Sequence, residues 1–166
     1  MVVPQKLPNT YNAKDIFDLF AKFYFDKFGH EYIVSRFIGH EMHLIKNALV
    51  EKGGYDIACS IYNGVRANDR TVNIPYIMAG LRYYIPSTNS RVYWLVHTVG
   101  DKGIKSKWKR RELLGATWLP SATQHQQLQE LTNDLRIWAD ETEKQYDGSP
   151  SKKTRKRKSS QSSMGD

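Results

Sequence analysis

The chain has 166 residues, 40% of them hydrophobic, which suits one domain with an appendage, and its mean hydropathy of -0.61, with no run near the ~18 apolar residues of a spanning helix, excludes a membrane protein. One cysteine, Cys59, rules out an internal disulfide or a cysteine-based metal cluster and fits a reducing cytoplasm. The net charge of +8 is unevenly placed: 11 basic residues against 8 acidic up to Val99, 6 against 2 from Gly100 to Trp118, 2 against 6 from Leu119 to Asp147, and 6 against 1 thereafter.

Met1 to Thr10 holds one Lys, two Pro and no apolar stretch, unlike a secretory leader; residues 1–11 read as an arm. All six Phe lie between Phe17 and Phe37, which places the core early. Ile16, Phe17, Leu19, Phe20, Phe23, Tyr24 and Phe28 recur at spacings of three and four, so a helix is predicted there, capped by Thr10 or Asn12 and stopped by Gly29. A second helix is predicted from about Phe37 to Lys52, with Ile38, Met42, Ile45 and Leu49 on one stripe and Gly53-Gly54 ending it. A third carries Ile57, Ile61 and Val65. A fourth starts at Asn73, has Pro75 in its first turn, buries Ile74, Ile77, Met78, Leu81 and Ile85, and ends before Pro86.

Arg91 to Val99 is dense in β-branched and aromatic residues, and Gly100 to Gly103 supplies turn chemistry before Ile104 to Trp108. This reads as a β-hairpin, although a short apolar run also fits a buried helix. Ser121 with Gln124 signals a capping box, followed by Leu128, Leu131, Leu135 and Trp138 on one narrow stripe. From Gly148 onward there is no Leu, Ile, Val, Phe, Tyr or Trp, so that stretch is expected to be disordered. The fold class expected is mainly α: a small helical bundle with a hairpin in a winged-helix-like arrangement over residues 12–118, an amphipathic helix over 119–147 and a basic tail over 148–166.

Catalytic signatures are missing. His40 and His43 flank Glu41 at a spacing of three, where two-histidine zinc chemistry needs four, so they read as half-exposed residues beside the apolar stripe. There is no nucleophile elbow, no phosphate-cradling glycine loop and no paired carboxylates. Neither a metal nor a cofactor is expected, and the protein is read as non-enzymatic.

The charge pattern favours a polyanionic partner, most simply single- or double-stranded DNA, because clustered Lys and Arg gain affinity by releasing counterions from phosphates; the bland alternative is that the positive excess only maintains solubility. Three segments are candidates. Tyr76, Arg82, Tyr83 and Tyr84 place rings and a guanidinium near one helix end, where bases could stack, or else the rings close the core. Lys102, Lys105, Lys107, Trp108, Lys109, Arg110 and Arg111 form a basic wing for a phosphate backbone; as a solvated helix instead, the same segment would turn Trp108 inward and keep its lysines facing water or DNA. Lys152, Lys153, Arg155, Lys156, Arg157 and Lys158 make a basic arm that raises non-specific affinity or serves as a nuclear-localisation signal. The stripe Leu128, Leu131, Leu135 and Trp138 suits a protein partner or self-association into a homo-oligomer.

The run Thr71-Val72-Asn73-Ile74-Pro75-Tyr76-Ile77-Met78-Ala79-Gly80-Leu81-Arg82-Tyr83-Tyr84 resembles the end of the DnaD C-terminal-like domain, whose bundle closes with Asn-Leu-x-Tyr-Ile-x-x-Ile-Leu-x-x-Trp. The resemblance covers about residues 13–86. The tyrosine of that pattern falls on Tyr76, its isoleucine on Gly80 and its tryptophan on Tyr84, so the last two positions depart from it. The resemblance implies DNA binding in replication initiation and helicase loading in Gram-positive bacteria or their phages, hence a bacterial cytoplasm. The function expected is that of a DNA-binding accessory protein of replication. The alternatives are a transcription regulator that holds duplex DNA or RNA polymerase, and a protein-interaction module that inhibits a host factor.

Overall fold

Asn12 starts the first helix. In the computed structural model, which describes residues 6–34, 37–116 and 121–147, its side chain accepts from the Asp15 amide and its own amide donates to the Asp15 carboxylate, both at 2.9 Å. This reciprocal box satisfies two amides that have no partner inside the helix. Helix α1 (Ala13–Phe28) ends at Gly29, whose φ of 79° is the left-handed conformation that glycine adopts without steric cost. Helix α2 (Ile38–Lys52) stops at Gly53 with φ 91°, and α3 (Gly54–Ala67) follows at once.

Within a first unit, Met1–Val99, α3 is the hub. It packs on α1, on α2, on a 3-10 turn at Pro8–Thr10, on the short helices α4 (Ile74–Ala79) and α5 (Leu81–Tyr84), and on α6 (Ser90–Thr98). Four of its buried residues, Ala58, Cys59, Ser60 and Gly64, are small, which lets neighbours approach closely. A Cβ on Gly64 would fall 2.8 Å from Ile77 Cδ1, and one on Gly54 would fall 1.7 Å from the Pro8 carbonyl oxygen. The Cys59 thiol donates to the Ser90 carbonyl at 3.3 Å and so ties α3 to α6.

Of the early phenylalanines Phe20 and Phe23 are buried in the core, Phe17 and Phe28 are half-buried, and Phe25 and Phe37 are 52% and 60% exposed. Phe20 meets Tyr32 edge-on at 4.6 Å, and Phe23 meets Tyr62 at 5.5 Å and Trp94 at 6.3 Å, pairs that each contribute about 0.5–1.5 kcal/mol beyond the area they bury. The α2 stripe lies elsewhere than the spacing predicts. Glu41, Ile45 and Ala48 are buried, while Ile38 is 55% exposed. Glu41 is tolerated inside because the Tyr32 hydroxyl donates to it at 2.8 Å, and that hydroxyl in turn accepts from the Ile74 amide at 3.2 Å.

Two further expectations are corrected. The described residues contain no strand, so the β-hairpin and the winged-helix-like arrangement are not formed. Arg91 to Thr98 lies in α6, and Ile104 to Trp108 lies in α7 (Lys102–Gly115). Asp101, read as part of a turn, is a helix cap that accepts from the Ile104 amide at 2.9 Å, and Asn89 caps α6 by accepting from the Val92 amide at 3.1 Å. With Val92, Trp94, Leu95 and Val96 all buried, tertiary burial overrides β propensity. The second correction concerns the fourth predicted helix, which breaks in two at Gly80 (φ -117°, ψ 31°). There the Gly80 amide bonds Ile77 O and Gly80 O receives the Tyr83 amide, both at 3.0 Å, a tightened three-residue pattern at the residue with almost the weakest helix preference.

The second unit, Gly100–Asp166, contains α7 and α8 (Ala122–Asp147). The two pack as an antiparallel hairpin: Arg111 donates to Thr132 Oγ1 at 3.0 Å while Lys107, a turn earlier, reaches Asp134 at 3.9 Å. Ser121 and Gln124 form the box expected of them, at 2.9 and 3.2 Å. Among the described residues no helix is long and apolar enough to cross a membrane.

Candidate nucleic-acid interface

The basic segment of the second unit is helical from Lys102, and helix phase decides which cations face outward. At 3.6 residues per turn, Lys102, Lys105 and Lys109 fall within about 60° of arc, with Arg110 extending it. This arc lies opposite Ile104, Trp108 and Arg111, and all four of its cations are exposed. Trp108 is turned inward, 4% exposed, with the Arg111 guanidinium 5.5 Å above its ring. Arg111 is half-buried and bonded to Thr132, and Lys107 is shared with Asp134. Of the seven residues expected to form a wing, four therefore make a free cationic strip and three belong to the hairpin's seam and flank.

The second candidate lies on the first unit. Tyr76 is 55% and Tyr83 71% exposed. The Arg82 guanidinium donates to the Tyr83 hydroxyl at 2.9 Å and lies 4.9 Å from its ring centre. Tyr84 is half-buried; its hydroxyl accepts from Asn68 at 3.3 Å and its carbonyl from Asn63 at 2.8 Å. A hydrogen bond between the Tyr76 and Tyr84 hydroxyls holds the Tyr76 pKa above its ordinary value. The outward rings of this group are Tyr76 and Tyr83, while Tyr84 is built into the helix packing.

A neighbouring group escaped the sequence reading. Tyr93 on α6 donates to Asn63 Oδ1 at 2.7 Å and stacks on His97 at 4.3 Å, and burial pushes its pKa up. The Arg66 guanidinium sits 4.7 Å over the Tyr62 ring, at the edge of a groove of about 320 Å³ lined by Phe23, Asp26, Lys27, Tyr62, Val65 and Arg66. The Lys27 ammonium is occupied there, donating to the carbonyls of Val65 at 2.7 Å, Arg66 at 3.0 Å and Asn68, which closes the C-terminal end of α3. Both pairs are four apart: Tyr62 and Arg66 lie on α3, a helix the spacing predicts, whereas the Tyr93–His97 pair is legible only once α6 is known to be a helix.

His43 Nε2 lies 3.1 Å from Asn47 Nδ2, and His40 packs on Phe37. Among the described residues no three potential metal ligands gather. Of the expected partner stripe, Leu131 and Leu135 are buried and Leu128 and Trp138 half-buried. The basic arm from Lys152 to Lys158, with Lys153, Arg155, Lys156 and Arg157, lies outside the described residues. The chain has no significant match among protein families, curated proteins or solved structures.

Proposed function

We propose that this protein is a non-enzymatic DNA-binding accessory factor that grips the phosphate backbone through α7. The observation that carries the reading is the outward strip of Lys102, Lys105, Lys109 and Arg110 on one helix face. Four cations on a helix with a buried tryptophan behind it form a rigid positive edge, and phosphate contact requires only charge and reach, so it positions the protein without reading bases. The basic arm adds charge of the same sign. A replicative role rests on the resemblance of the Thr71–Tyr84 run alone.

The test is fluorescence anisotropy with matched single- and double-stranded oligonucleotides over a salt series. Replacing Lys102, Lys105 and Lys109 by Ala removes up to three phosphate contacts, so the slope of log affinity against log salt for duplex is expected to fall by up to about 2.7, at roughly 0.9 per contact. The loss should be similar for every sequence tried. All three side chains are exposed, so thermal unfolding should be unaltered. An unchanged salt slope in a folded triple variant would remove α7 from the DNA site.

A further inference from the structure

One flank of the α7–α8 hairpin is complementary to itself, and we infer that it pairs with a second copy of this chain to make an antiparallel four-helix bundle. On α7, Lys107, Arg110 and Leu114 fall within about 60° of arc; on α8, so do Glu130, Asp134, Ile137 and Glu141. The bond between Lys107 and Asp134 places the two arcs on the same side of the hairpin. That side is solvent-facing: Arg110, Glu130 and Glu141 are exposed, Ile137 is 52% exposed, and Lys107 and Asp134 keep 48% and 54% of their side chains exposed.

The charge is divided between the helices. Lys102–Gly115 has six basic residues and one acidic; Ala122–Asp147 has six acidic and two basic. A two-fold axis parallel to the helices, placed against this flank, sets α7 of one copy on α8 of the other and the reverse, both pairs antiparallel. Because the hairpin is itself antiparallel, the register carries across. Lys107 then meets the second copy's Asp134, Arg110 meets the second copy's Glu130, and Ile137 is covered. A closed, isologous pair uses each contact twice, and antiparallel bundles of this kind pack with short connections like the one between α7 and α8. The opposite flank has no such division: its α7 arc holds both Lys105 and Glu112, and in the register of the Lys107–Asp134 pair Lys105 stands level with Arg136, so a copy laid on it would set like charges against each other there.

The experiment is sedimentation equilibrium of the full chain without DNA, up to roughly 100 µM, where mass action favours association, at about 0.05 M and about 0.5 M salt. A dimer that weakens at high salt is expected. Lys107→Glu with Arg110→Glu should raise the dissociation constant at least about tenfold, because like charges then face each other across the interface. Glu130→Lys with Asp134→Lys should do the same. An equimolar mixture of the two double variants should associate again, since each altered helix then meets its complement, and this rescue separates an interface from a folding defect. A wild type that stays monomeric throughout, a dimer indifferent to both double variants, or a mixture that stays monomeric would each overturn the proposal. Arg110 borders both surfaces, but the DNA test alters Lys102, Lys105 and Lys109 alone and DNA affinity is absent from every arm here, so failure here leaves the DNA reading standing, and the reverse holds too.

Discussion

A methyl group on Gly54 would sit 1.7 Å from the carbonyl oxygen of Pro8, and the obstacle is backbone. Gly54→Ala must therefore displace the Pro8–Thr10 turn from α3, and a loss of about 1–3 kcal/mol is expected from overpacking of this kind. Gly64 makes a useful contrast. Its obstacle is a side chain, Ile77 Cδ1 at 2.8 Å and Cγ1 at 2.9 Å, which shifts at less cost than a backbone turn even though Ile77 is fully buried, and Ala gains about 1 kcal/mol over Gly in a helix interior. Gly64→Ala should thus cost less than Gly54→Ala in chemical unfolding; the reverse order would mean that α3 and α4 cannot give where α3 and the turn can. Neither contact is legible in the sequence, because both involve residues distant along the chain and a spacing pattern carries no information about which neighbour approaches.

At the scale of elements, the caps decided what could be read. Asn12, Gly29, Gly53 and the Ser121–Gln124 pair stand next to periodic apolar runs, and the helices they bound form where expected. Asp101 is an equally good cap, but Gly100 to Gly103 reads as a turn because the run before it is rich in β-branched and aromatic residues, and Asn89 caps that same run, whose composition reads as strand. The difference between strand and helix also rearranges the candidate site. In a strand, Lys105, Lys107 and Lys109 would share a face; in the helix, Lys102, Lys105 and Lys109 do, and Lys107 turns to Asp134. Composition located the basic segment, and only the backbone period could sort its cations. The same period puts Leu131 and Leu135 inside the hairpin, 7% and 1% exposed. Replacing both with Ser should cost at least about 4 kcal/mol, since each truncation of a buried leucine typically costs about 2–5. Loss of the helical signal from α7 and α8 at temperatures where the wild type is folded would show it. A double variant with unaltered unfolding would mean that these leucines face solvent.

Taken whole, the chain distributes its roles by unit: a densely aromatic first unit organised around α3, and a second whose described part is a charged two-helix hairpin. The first unit also contains the chain's single thiol, and this gives the molecule a clock. Cys59 is fully buried, donates to the Ser90 carbonyl, and burial pushes its pKa well up, so it offers a reagent neither access nor thiolate. Modification must wait until α3 and α6 part. With reagent slow relative to reclosing, the labelling rate follows the population of the open form. Gly54→Ala, which weakens the same unit, should then speed labelling by the same factor by which it raises the unfolding constant, about tenfold for each 1.4 kcal/mol lost. A smaller factor would time a local parting of α3 from α6, and labelling as fast as in a denatured chain would mean the thiol was never enclosed. One atom in the centre of the first unit thus reports, in seconds or hours, how often the core is open.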